Sequence, residues 1–164
     1  MRTRTDGCYM KYIHFILITS LLFSCNRNII FEETQSVDCN GWSIDSVGRF
    51  EFVIEDTAQF YDISFIVRNT GDYEYQNLWF FVEYVKPDMA FSNDTVNLFL
   101  ADNFGRWAGS GIGSIYSATY LYRDSIRFNQ TGKYLMNIRH GMRTDSLKGI
   151  ADIGLQIKIS DGEE

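Results

Sequence analysis

Proline, histidine, positive charge and long apolar runs are all scarce in this chain of 164 residues. There is one proline, Pro87, and two histidines, His14 and His140. The longest apolar stretch is the twelve residues 12–23, YIHFILITSLLF. That is well short of the roughly 20 residues a membrane-spanning helix needs. Beyond residue 24 no apolar pattern of period 3.6 outlasts two turns, so helices are not expected there. A single histidine after the leader excludes a two-histidine metalloprotease site, and the HExxH and GxSxG patterns do not occur.

The apolar run matches the hydrophobic region of a secretory signal, about 7–15 residues long and preceded by a base, here Lys11. Met10 offers an alternative start. The run ends in Leu22-Phe23-Ser24-Cys25, the layout of a bacterial lipoprotein signal: an aliphatic residue three before the cysteine and a small one before it. Cys25 is thereby predicted as the first mature residue and the acylated one. Two or more acyl chains anchor a protein stably, at about 0.8 kcal/mol per buried methylene. The competing readings are an ordinary cleaved signal with Cys25 unmodified, or a buried helix. The expected organisation is a signal peptide over 1–24, a lipidated N-terminus and tether over 25–34, and one domain over 35–164.

Removing the leader takes three of fifteen bases and one of twenty-one acids, leaving twelve against twenty and a net charge of −8. Such a balance disfavours nucleic acid and unaided attraction to anionic lipid. The anchor must therefore hold the protein at the membrane. Of the three cysteines, Cys8 leaves with the signal and Cys25 is acylated, so Cys39 is left alone and no intramolecular disulfide is expected. A buried, small apolar role is the expectation for Cys39.

After residue 28 the period is two. A first short strand is predicted at 29–33. Phe50, Phe52 and Ile54 then alternate with Glu51, Val53 and Glu55, and Tyr61, Ile63, Phe65 and Val67 with Asp62, Ser64, Ile66 and Arg68. Residues 78–85, LWFFVEYV, are apolar on both faces, as a central sandwich strand would be. Further strands fall at 95–100, 120–128, 133–140 and 153–160, separated by turn-forming clusters such as Asn129-Gln130-Thr131-Gly132. Seven or eight strands at this spacing predict an all-β, antiparallel sandwich resembling a jelly roll.

Chemistry-bearing residues are few. His140 ends a strand before Gly141, where a surface or hydrogen-bonded histidine is expected, and a Cys39–His140 dyad is the minor alternative. The glycines of 109–113 lack the spacing and the βαβ context of a dinucleotide loop. Asp56, Asp62, Asp94, Asp102, Asp124, Asp145 and Asp152 offer carboxylates, with turn formation their default role. No cofactor and no metal are expected, and no catalytic residue is assigned. Aromatics are plentiful, at 13 Phe, 10 Tyr and 3 Trp. Arg106 and Trp107, inside the glycine-rich stretch 101–114, are the candidate recognition pair, because Arg and Trp dominate binding hot spots. The alternative is that Trp107 plugs the end of the sandwich. A glycan- or peptide-binding module would use Trp107, Trp79 or Trp42 as platforms.

Three stretches carry a family likeness: DTAQFYDISFIVRNTGDYEYQNLWFFV (56–82), DTVNLFLADNFGRWAGSGIGSIY (94–116) and LYRDSIRFNQTGKYLMNIRHGMRTDSLKGIADIGLQI (121–157). The most specific pieces are Arg68-Asn69-Thr70, the LAD…GRWxGxGxG stretch of 100–113, and GMRxDxLKGIxDIGLxI of 141–157. Together with the lipoprotein signal, they resemble the gliding-motility lipoproteins called GldH. The resemblance implies a membrane-anchored cell-envelope lipoprotein of Bacteroidota. It also implies a non-enzymatic part or accessory of the gliding and linked protein-secretion machinery, with envelope proteins as partners. Of the functional positions, only Cys25 carries over. Many surface-exported lipoproteins of that phylum have an acidic run after the lipidated cysteine. Here the run is Asn26-Arg27-Asn28, which favours an anchor facing the periplasm.

Overall fold

The computed structural model describes residues 28–160. The expected signal peptide and the expected lipidation site Cys25 lie outside the described residues. Within them the protein is built from strands: β1 (Ile29–Ser36), β2 (Trp42–Ser43), β3 (Gly48–Ile54), β4 (Tyr61–Thr70), β5 (Asn77–Val85), β6 (Phe91–Phe99), β7 (Ser110–Ile112), β8 (Ile115–Ile126), β9 (Gly132–His140), β10 (Ser146–Leu147) and β11 (Ile150–Ile159). Eight of the eleven are long, and each overlaps a strand expected from the sequence. The other three are two or three residues long, too short to show a period.

All pairings are antiparallel, and four of them nest one inside the next. β5 pairs with β6, β4 with β8, β3 with β9, and β1 with β11, as in one long hairpin rolled upon itself. Two sheets result, β1-β11-β4-β8-β7 and β3-β9-β5-β6, with β10-β2 as a small ribbon. The eight long strands thus take the order of a jelly roll, the double-sheet solution to exposed sheet edges. Phe65 of β4 meets Phe80 of β5 edge-to-face at 5.3 Å, and Phe31 of β1 meets Phe52 of β3 at 5.8 Å, so the sheets face one another. Between them lies one core, in which Phe50, Ile54, Phe65, Leu78, Phe80, Ile138, Leu155 and Ile157 are fully buried. Aromatic residues fill much of it. Tyr134 stacks on Phe52 at 5.6 Å and on Tyr84 at 5.5 Å, and its hydroxyl donates to the Gln130 carbonyl at 2.8 Å.

Two strands differ from their sequence patterns in opposite directions. β4 alternates apolar with polar, yet both of its faces are buried over Tyr61–Val67. Its outward side chains are covered by a polar ladder. Lys158 Nζ reaches Asp62 at 3.2 Å, Arg68 reaches Asp152 at 3.8 Å, and the Ser36 hydroxyl donates to Asp152 at 2.8 Å. Gly154 lets Thr34 and the Ile66 side chain close over the sheet, for a Cβ there would meet both. β5 is the reverse: apolar on both faces, yet buried on one alone.

Candidate interaction surface

The outward side of β5 presents Trp79, Phe81 and Glu83, while Leu78, Phe80 and Val82 point into the core. Trp79 is 37% exposed and Phe81 46%, large values for aromatics on an interior strand of a sheet. Register fixes their neighbours. Phe81 lies between Thr95 of β6 and Arg139 of β9, and Trp79 lies opposite Asn97. Just past β9, Gly141 donates its N–H to the Trp79 carbonyl at 2.7 Å. A Cβ at Gly141 would press on the Phe81 ring at 3.1 Å, so the glycine makes room for it.

Phe81 therefore forms a ridge between two depressions. One, of about 470 Å³, is lined by Tyr75, Trp79, Phe81, Met142 and Arg143. The other, of about 550 Å³, is lined by Val47, Arg49, Phe81, Asn137 and Arg139. Glu83 shares the face, its carboxylate accepting from Asn137 Nδ2 at 3.0 Å. Apolar rings on a solvated sheet face beside arginines form the kind of surface that marks a protein contact.

A third cavity, about 420 Å³, opens between the sheets where β6 and β8 lie at their margins. Ile63, Val82, Phe128 and Met136 form its floor, and Asp94, Tyr122 and Arg123 its rim. The Tyr122 hydroxyl donates to Asp94 Oδ2 at 2.8 Å, and Arg123 reaches the same oxygen at 2.6 Å. Arg123 also lies over the Tyr122 ring, 4.7 Å from its centre. The Tyr122 hydrogen bond, with help from Thr95 N–H and Arg123, holds the Asp94 carboxyl below the usual range despite desolvation. Asp94 is thus a brace across the open edge of the sandwich.

The sequence candidates fall elsewhere. The stretch 101–107 is a closed loop: Asp102 accepts from the N–H groups of Phe104 and Arg106 at 2.8 and 3.0 Å, and Trp107 bridges to Ala101. Arg106 and Trp107 diverge. Arg106 folds back on Asp102 at 2.8 Å and over Phe104 at 5.4 Å, in solvent. Trp107 turns inward, half-buried, against Tyr73 at 6.2 Å and Tyr116 at 6.0 Å. Of the other platform candidates, Trp42 is buried and Trp79 is exposed.

Cys39, expected to be buried, is an exposed free thiol. His140, expected at the surface or hydrogen-bonded, is fully buried against the Trp42 ring at 5.3 Å, and neither ring nitrogen has a hydrogen-bond partner. Thiol and imidazole therefore share no accessible site. Asp62 is committed to Lys158 and the Ser125 N–H, and Asp56 caps its own turn through the Ala58 N–H at 2.7 Å. Among the described residues no three His, Cys, Asp or Glu side chains converge to hold a metal.

A family model described as GldH lipoprotein matches residues 29–157, the whole double sheet except its last strand positions. A gliding motility lipoprotein GldH homolog of Christiangramia forsetii is 30% identical over 154 residues, covering 90% of this chain and 94% of that one. The gliding motility lipoprotein GldH of Flavobacterium johnsoniae is 29% identical over 168 residues, covering 98% of this chain and all of its own. Among solved structures, that of infectious bursal disease virus Gx strain aligns with 83% of this chain and 31% of its own, at 13% identity and a TM-score of 0.36. That likeness is too distant to bear on function. The chain belongs to the GldH lipoprotein family.

Proposed function

From that membership, we propose that this protein is a lipid-anchored, non-enzymatic component of the cell envelope, serving gliding and the protein secretion linked to it. The anchor is Cys25, and the jelly roll behind it is a docking module. The names of its relatives support the motility role. The observation that carries the docking role is the outward face of β5, where Trp79 and Phe81 are exposed and no element among the described residues covers them. Burying those two side chains would release several kcal/mol at about 25 cal/mol per Å², and folding of the chain leaves that gain unused. The run Asn26-Arg27-Asn28, without acids, supports an anchor facing the periplasm.

Replacement of the chromosomal copy by a Trp79→Ser/Phe81→Ser variant tests the reading. The lipoprotein is expected to remain folded and at its normal level in membranes, while colony spreading and the amount of secreted protein fall. Native behaviour from that variant would overturn the docking role. For the orientation, protease added to intact cells should spare the domain until the outer membrane is opened, whereas digestion on intact cells would place it on the surface.

A further inference from the structure

The cations of this acidic molecule are not spread evenly between paired and unpaired states. Among the described residues Arg68, Arg106, Arg123, Lys133 and Lys158 sit in ion pairs, and Arg127 lies over the Phe60 ring at 4.1 Å. Besides Arg127, five described cations enter no ion pair: Lys86 and Lys148, and the three arginines Arg49, Arg139 and Arg143. All three line the depressions that flank Phe81. Arg139 is directly opposite Phe81 in the register. Arg49 stands two strands away in the row of Asn137 and Glu83. Arg143 borders the depression on the Trp79 side. Two carboxylates border the depression that Arg49 and Arg139 line, and both are engaged, Glu83 by Asn137 and Asp94 by Tyr122 and Arg123. A chain of net negative charge thus gathers three unpaired guanidinium groups around the exposed rings of β5.

We propose that this face binds an acidic protein segment, one whose apolar side chains enter the depressions beside Phe81 while its carboxylates pair with Arg139, Arg143 and Arg49. This rests on the reading of the sheet face as the docking surface and adds the chemistry of the partner. All three cations are arginine, whose planar fork takes a carboxylate through two hydrogen bonds and is desolvated more readily than an ammonium. Aromatic anchors and arginine together are the composition of interface hot spots. Side chains two apart on a strand are about 7 Å apart, so Trp79 and Phe81 suit alternate residues of one extended segment. A polyuronate would share the charge but has no apolar side chain to fill the depressions.

The test uses the full lipoprotein in vesicles of neutral phosphatidylcholine, with a fluorescent random copolymer of glutamate and tyrosine as probe and alginate as the polysaccharide arm. Copolymer binding, read by anisotropy, should weaken about tenfold or more, a loss of roughly 1.4 kcal/mol, in Arg139→Glu/Arg143→Glu. Phe81→Ser should weaken it too, and Arg127→Glu should leave it unchanged. Absence of copolymer binding, indifference to the arginine reversals, or equal binding of alginate would each overturn the proposal. The same reversals placed in cells separate it from the broader reading. If Trp79→Ser/Phe81→Ser impairs secretion and Arg139→Glu/Arg143→Glu does not, the docking face stands and the acidic partner falls. If neither impairs it, both fall.

Discussion

At the scale of single residues, His140 is where polarity and environment conflict most. It is fully buried between core side chains with both nitrogens unpartnered. Desolvation holds its pKa below the ordinary 6.5 and outweighs the Trp42 backbone, which acts in the opposite direction. The unfolded chain therefore takes up the proton first. Stability is complete above about pH 6.5 and falls as the pH drops below it, by up to about 1.4 kcal/mol per pH unit. Thermal unfolding at pH 7.5 and pH 5 should show that loss in the native protein and not in His140→Phe; an equal loss in both would remove His140 as its source. Asp62 and Asp94, held below their ordinary 3.8, lose their contributions only in stronger acid than that in which the His140 loss begins. None of this was visible in sequence. A histidine at a strand end before a glycine reads as exposed, and only the approach of Trp42 from a distant ribbon closes the site. Cys39 is the converse: small and weakly polar, it reads as core, yet lies in the connection between β1 and β2, outside the packed layers.

At the scale of elements, alternation located strands such as β3, β4, β9 and β11 because one face of each must be apolar to meet the core, and β5 was located by its continuous apolar run. What alternation cannot report is the state of the other face. β4 looks half-exposed, but the Asp62–Lys158 and Arg68–Asp152 pairs cover it. β5 looks doubly buried, but its second apolar face is solvated. The polar outward residues of its neighbour β9, Lys133, Asn137 and Arg139, are the sequence signal that this face is open. The short elements depend on turns. Gly149 holds a φ of +83°, its carbonyl accepts from Thr70 N–H at 2.8 Å, and a Cβ there would land on the Tyr73 backbone. Gly149→Ala should accordingly destabilise the fold by a few kcal/mol in denaturant titrations, since strain at the left-handed φ adds to the clash. A change under about 0.5 kcal/mol would mean the corner relaxes freely. Across the open edge, Asp94→Asn weakens the links to Tyr122 and Arg123. Both partners are partly solvated, so screening limits the expected loss to on the order of 1 kcal/mol. No loss at all would show that the edge closes without its brace.

At the scale of the whole molecule, a jelly roll leaves its two outer sheet faces to solvent, and here they are unlike. The first carries a polar ladder of paired charges, with Gln156 Nε2 donating to Glu32 at 2.5 Å beside the Asp152 and Asp62 pairs. The second carries Trp79, Phe81 and the unpaired arginines. An anchor at Cys25 would confine this asymmetric module to the membrane surface, where a partner need only be met in two dimensions. Cys25→Ala should move the protein from the membrane to the soluble fraction, and persistence at the membrane would remove acylation from the account. The family was legible from the stretches at 100–113 and 141–157, whereas the working face was not, because its residues come from β3, β5, β6 and β9 and meet only in the register. Comparison of the two faces in living membranes is the most direct test. A photocrosslinking residue placed at Trp79 or Phe81 should give a discrete protein adduct, and one at Thr119, exposed on the first sheet, should give none. Adducts from Thr119 alone, or the same adducts from all three positions, would contradict the account.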